Sequence, residues 1–181
     1  CIRDSSEGFN PHMKVAFASA LSLGAASDAE YVDFEMTEEL PPHEVMQRLR
    51  DQLPRGAEII RLRLQEGKHR ALMADVDEAR YRLKIPYEGE LAPVRESVRR
   101  YNSAAHAVWE RVTPKKSRSI ETKEYIKAPI SFQYENGCLI LWMNLLVTPA
   151  GSVKPIEVLS VMVRDFALPV DPAEAYVTRT G

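Results

Sequence analysis

What this 181-residue chain lacks narrows it first. It has two cysteines, Cys1 and Cys138, too few and too far apart for a disulfide framework or a Cys-x-x-Cys metal knuckle. Histidine is nearly as scarce. His12, His43, His69 and His106 stand at no ligand spacing from one another, so no metal site is expected. Long apolar runs are missing too: the longest, 138–147, is about half of what a membrane span needs, and Asn144 interrupts it. The first residues carry no basic stretch followed by an apolar one, so no secretory leader is expected. A reducing cytoplasm is the expected compartment, and no membrane is an expected partner. Excess positive charge is absent as well. The formal net charge is -2, which excludes a generally basic nucleic-acid binder and leaves room only for a local patch. Finally, there is no GxGxxG, Walker loop, GxSxG or HExxH, and no cofactor is expected.

What is present is a chain able to bury a core, at 45% hydrophobic residues. Val15 and Phe17 alternate with small residues in a strand pattern that runs to a turn at Gly24, and 29–36 alternates as a second strand. Val45, Leu49 and Leu53 recur at helical spacing, predicting a helix over 42–53 that stops at Pro54 and Gly56. Ile60, Leu62 and Leu64 alternate with Arg61 and Arg63, predicting a third strand over 58–65. After a linker the pattern restarts. Tyr81, Leu83 and Ile85 alternate with Arg80, Arg82 and Lys84; a helix follows from Pro93 to about 105, then a strand over 108–112. Lys115, Lys116 and Arg118 make a basic loop ahead of alternation over 120–126. Asn136-Gly137 lies between two strand-like runs, which is a strong hairpin signal. The second run, 138–147, is apolar on both faces, as a central strand is. Pro155 opens a last helix to Phe166, and 175–178 closes as a strand.

The expected fold class is α+β, built as two tandem ferredoxin-like βαββαβ halves. Each would lay its helices on one face of an antiparallel sheet. Residues 1–66 form the first half, truncated at its N-terminus, and 78–181 form the second. The chain opens on Cys rather than Met, which fits the omission of a strand and helix upstream.

Chemistry is suggested mainly by basic residues. Arg61 and Arg63 share one face of a predicted strand, and so do Arg80, Arg82 and Lys84; Lys68, His69 and Arg70 lie between these strands. The sheet face turned away from the helices is open, and cations there could meet phosphates. The plainer alternative is a solvated face paired with acids such as Asp33 and Glu35. Tyr31, Tyr81 and Tyr125 are the aromatic residues considered as platforms for bases. A second feature is the stretch Gly8-Phe9-Asn10-Pro11-His12-Met13-Lys14, which combines turn chemistry with groups able to touch a ligand. Its plainer reading is a structural turn. His12 is the weak candidate for a general acid or base, with Lys14 beside it.

This stretch, with Val15-Ala16-Phe17-Ala18, Leu21-Ser22-Leu23-Gly24 and Ala29-Glu30-Tyr31, resembles the opening of the radical-SAM-linked bacterial proteins of unknown function. That pattern runs Ser-x-Gly-Phe-Asn-Pro-His-Pro-Lys, a strand, a Pro-Leu-x-x-Gly turn and Ala-Glu-Tyr. Met13 replaces its second proline, and Ser19-Ala20 stands where a proline usually precedes Leu21. Lys115-Lys116 and Lys154-Pro155-Ile156-Glu157-Val158 are similar to later segments of the family, with lysine for arginine at 154. The resemblance implies a further strand and helix upstream and a partner, a B12-binding-type radical SAM protein. It supplies no reaction. The expected function is a non-catalytic accessory module that binds or presents tRNA or rRNA for modification. In it Lys14, Arg61, Arg63, Arg80, Arg82, Lys84, Lys115, Lys116 and Arg118 meet the nucleic acid. The alternatives are an RNA-processing enzyme that uses His12 and a protein–protein adaptor for the radical SAM partner.

Overall fold

The computed structural model describes residues 14–65, 67, 70–114, 116–148 and 151–181. In chain order its strands and helices are β1 (Val15–Phe17), β2 (Ala26–Ser27), β3 (Val32–Phe34), α1 (Pro42–Arg50), β4 (Glu78–Pro86), α2 (Leu91–Ser103), β5 (Val108–Thr113), β6 (Lys116–Glu121), β7 (Ser131–Glu135), β8 (Cys138–Thr148), β9 (Gly151–Ser152), α3 (Pro155–Phe166) and β10 (Tyr176–Arg179). The class is α+β. Two compact units divide the chain: Cys1–Ser19 with Ala29–Asp75, and Ala20–Asp28 with Val76–Gly181.

The larger unit is built on β4 and β8. Alternation along β8 buries Leu139, Leu141, Met143 and Leu145, while Ile140, Trp142 and Asn144 point the other way and are half-buried. On β4, Ala79, Leu83 and Ile85 join the buried set. The apolar stripes of α2 (Val94, Val98, Tyr101) and α3 (Val158, Leu159, Met162) cover this face and close one core. The strand order is β2-β10-β4-β8-β7, antiparallel throughout except for the β2–β10 edge, which is parallel. Asn136 and Gly137 both take positive φ, 50° and 73°, as a two-residue turn between β7 and β8 requires.

Between α2 and β7 the chain inserts the hairpin β5–β6, tied to the helix layer by polar contacts. Arg111 donates from Nε (2.7 Å) and Nη2 (2.6 Å) to the two oxygens of Glu157. Glu157 is only 6% exposed, and its carboxylate also accepts from the Lys154 amide at 2.8 Å, closing the first turn of α3. Arg164 of α3 donates to the Val108 carbonyl at 2.7 Å. At the far end of α2, Lys123 Nζ donates to the Tyr101 carbonyl at 2.8 Å and sits 4.5 Å from the Tyr101 ring centroid. Asn102 exchanges two hydrogen bonds with the Ile130 backbone, at 2.8 and 2.9 Å.

The alternation noted over 120–126 does not run on as a strand: β6 ends at Glu121 and Thr122–Tyr125 form a 3-10 turn. The Glu121 carboxylate causes the change by accepting from the Ala107 (2.8 Å) and Lys123 (3.1 Å) amides. Thr122 Oγ1 meanwhile donates to the Ala107 carbonyl at 2.7 Å.

In the smaller unit β1 pairs antiparallel with β3, Val15 opposite Phe34 and Phe17 opposite Val32. Helix α1 starts after Pro41 and ends at Arg50, shorter than the predicted 42–53. The predicted strand over 58–65 is not formed. Its alternation is real, but among the described residues no strand pairs with it, and Ile60 is left 76% exposed. Alternation predicts a strand only where a partner edge exists to receive it.

Two outcomes follow from these contacts. Leu141→Ala should cost about 2–5 kcal/mol of unfolding free energy by opening a cavity in the closed core, read as a lower urea midpoint. Burial alone would raise the Glu121 carboxyl, but the Ala107 and Lys123 amides and His106 together hold it below its ordinary 4.5. A depressed folded value contributes stability above the ordinary range that is lost as pH falls through the folded value. Glu121→Gln should therefore flatten the loss of urea midpoint between about pH 6 and about pH 3.

Candidate nucleic-acid interface

The alternation that buries Leu83 and Ile85 turns Arg80, Arg82 and Lys84 to the opposite face of β4. They form one row, about 7 Å from each side chain to the next. Direct register places Asn144, Trp142 and Ile140 of β8 beside them in that order. From β10, Thr178 lies opposite Arg82 and Tyr176 opposite Lys84. From β7, Ser131 lies opposite Trp142 and Gln133 opposite Ile140. No helix of this unit covers the face, because both pack on the other side.

Its charge is predominantly positive. Arg80 donates to Glu78 Oε1 from Nε (3.1 Å) and Nη2 (2.9 Å), and Lys127 shares the same carboxylate. The hydrogen bond from Lys127, then that from Arg80, holds the Glu78 carboxyl below its ordinary value. The Arg82 guanidinium lies 5.9 Å from the centroid of the Trp142 ring. Among the described residues neither Arg82 nor Lys84 has a carboxylate partner. At the Glu78 end, then, Arg80, Arg82, Lys84 and Lys127 outnumber the nearby carboxylates of Glu78 and Asp77. Glu135 stands at the opposite corner of the sheet, beside Cys138.

The other predicted residues are not gathered here. Lys14 belongs to the smaller unit and pairs with Glu35 at 2.8 Å. Arg61 and Arg63 are exposed but share no strand face, because their segment forms no strand. Arg118 is exposed on β6, opposite Arg111, so its hairpin stands on the helix side of the sheet, away from the row on β4. Lys116 opens β6. Pro155 is the buried first residue of α3, and Lys154 precedes it with its side chain exposed. Gly8, Phe9, Asn10, Pro11, His12, Lys68, His69 and Lys115 lie outside the described residues.

Two of the three expected aromatic platforms are also displaced. Tyr125 is buried, and Tyr81 packs against the core cluster on the inward phase of β4; Tyr31 is exposed in the smaller unit. Sequence reasoning passed over Trp142 and Tyr176, the aromatics that do reach the open face. Phase was the available signal. Trp142 is out of step with Leu141 and Met143, as Arg82 is with Leu83.

Among the described residues no group of three or more His, Cys, Asp or Glu side chains could hold a metal ion. None of the described helices is long and apolar enough to cross a membrane. A family model described as an uncharacterized protein conserved in bacteria (DUF2344) matches residues 4–155. No curated protein and no solved structure matches the chain.

If the basic row is free of structural duty, Arg82→Ala and Lys84→Ala should each change stability by less than about 0.5 kcal/mol. Arg111→Ala should cost about 2 kcal/mol, because it strands the buried Glu157 carboxylate. Urea unfolding of the three variants in parallel checks the contrast.

Proposed function

The chain belongs to this family of uncharacterized proteins conserved in bacteria, and we propose that it is a non-catalytic accessory module. It binds a tRNA or rRNA segment and presents it to a radical SAM enzyme. The enzyme partner rests on the resemblance carried by residues 8–18, 21–24, 29–31, 115–116 and 154–158. The RNA rests on one observation, the row of Arg80, Arg82 and Lys84 flanked by Trp142 on a face that no helix of the larger unit covers. In this reading the larger unit is a ferredoxin-like half with the hairpin β5–β6 inserted. The order β10-β4-β8-β7 and the two helices on one face support that reading. The smaller unit is then the partial first half of a tandem.

Charge makes the proposal quantitative. A polynucleotide held by phosphate contacts releases counterions, so affinity falls with salt by about 0.7 log units per contact per log unit of salt for a single strand. Binding to bulk tRNA or rRNA fragments should follow such a line. The double variant Arg82→Ala/Lys84→Ala should reduce the slope by about 1–2 contacts' worth. Absence of RNA binding at low salt would overturn the proposal. Retention of a radical SAM polypeptide after nuclease treatment, with no RNA bound, would make the chain a protein adaptor instead.

A further inference from the structure

The open face of the larger unit carries a more specific assignment, which rests on the RNA reading above. We propose that it takes an unpaired stretch of RNA laid across the strands. One base stacks on Tyr176, another stacks on Trp142, and the phosphate between them meets Lys84 and Arg82.

The order of the strands carries the argument. Tyr176 is on β10, Lys84 and Arg82 are on β4, and Trp142 is on β8, with β4 between the other two. The two rings therefore flank the two cations. Tyr176 is opposite Lys84, and Lys84 is opposite Ile140, two residues along β8 from Trp142. Two strand spacings and one same-face step separate the Cα atoms of Tyr176 and Trp142 by about 12 Å. That span suits a base, a phosphate and a second base of one splayed strand. It does not suit a duplex. Paired bases stack about 3.4 Å apart along each strand and present no free ring face, so a duplex could reach the cations but neither aromatic.

Both rings are accessible in different ways. Tyr176 is 73% exposed, an unusual amount of aromatic surface to leave in water. Trp142 is half-buried, with the Arg82 guanidinium 5.9 Å from its centroid, near the outer limit of a cation–π contact. A contact that long is easily released, so Arg82 can turn to an arriving phosphate or stack on the arriving base. Ser131, Gln133 and Asn144 border the path and offer neutral donors and acceptors to base edges.

The chain contains two tryptophans, Trp109 and Trp142, so Trp109→Phe makes Trp142 the sole indole reporter in the full chain. An oligo(U) of about eight nucleotides should quench that emission on binding. A blunt duplex of the same length should bind more weakly and leave the emission unchanged. Tyr176→Ala, at an exposed position, should weaken oligo(U) binding about 5- to 150-fold with little effect on duplex binding, and Trp142→Ala should do likewise. Trp142→Phe should retain most of the affinity. If the duplex binds as tightly as oligo(U) with no change in emission, or if Tyr176→Ala has no effect, the stacking assignment is overturned while the RNA reading stands. If neither ligand binds, the RNA reading falls with it. Equal affinity for oligo(dT) would overturn RNA as the strand and leave the stacking intact.

Discussion

Everything in the larger unit depends on the pairing of β4 with β8, continuous from Glu78 opposite Leu146 to Pro86 opposite Cys138. This ladder fixes the phase of both strands at once. Leu83 and Ile85 go to the same side as Leu139, Leu141 and Met143, and the rows on the other side are then determined. A slip by one residue would exchange the two faces, burying Arg82 and exposing Leu83. The core supplies the penalty against that slip. The character of the outer face is thus a by-product of packing on the inner one, and the basic row is held in register by residues that never touch it.

The helix layer adds a second constraint with a different chemistry. The hairpin β5–β6 is seated by Ile120 and Trp109 against the core cluster and, beside them, by charge and hydrogen bonds. Glu157 answers to two masters, the first turn of α3 and the Arg111 guanidinium. This gives a physical reason for the segment 154–158: Pro155 opens the helix, and the carboxylate two residues on holds both the helix start and the hairpin. Such a buried pair specifies an arrangement more than it adds net stability, because desolvating both charges offsets much of their attraction.

Much of this was legible in the sequence, and the failures have causes. Helix α3 and the β7–β8 hairpin could be read because Pro155, the apolar stripe of α3 and Asn136-Gly137 act locally. The segment 58–65 misled because alternation reports a strand's suitability and carries no information about a partner edge. At 120–126 a single carboxylate, Glu121, redirected the backbone through bonds to amides 14 and 2 residues away. Within the candidate site, Arg80, Arg82 and Lys84 were visible as a row from their spacing. Trp142 was hidden inside a run that looks uniformly apolar until the neighbouring strand sets its phase, and Tyr176 was hidden by the shortness of β10.

The parallel edge formed by β2 and β10 makes the larger unit discontinuous in sequence. Ser27 Oγ donates to the Arg179 carbonyl across 152 residues, and the Asp28 amide reaches the same carbonyl at 2.8 Å. During synthesis on the ribosome, 20–28 emerges well before β10 and has nothing to dock on until β10 has been made. The outer rim of the sheet therefore closes only after residues 76–179 have been translated. A fragment cut at 76 would keep the central ladder but bare the β10 edge, a surface that invites pairing with another chain.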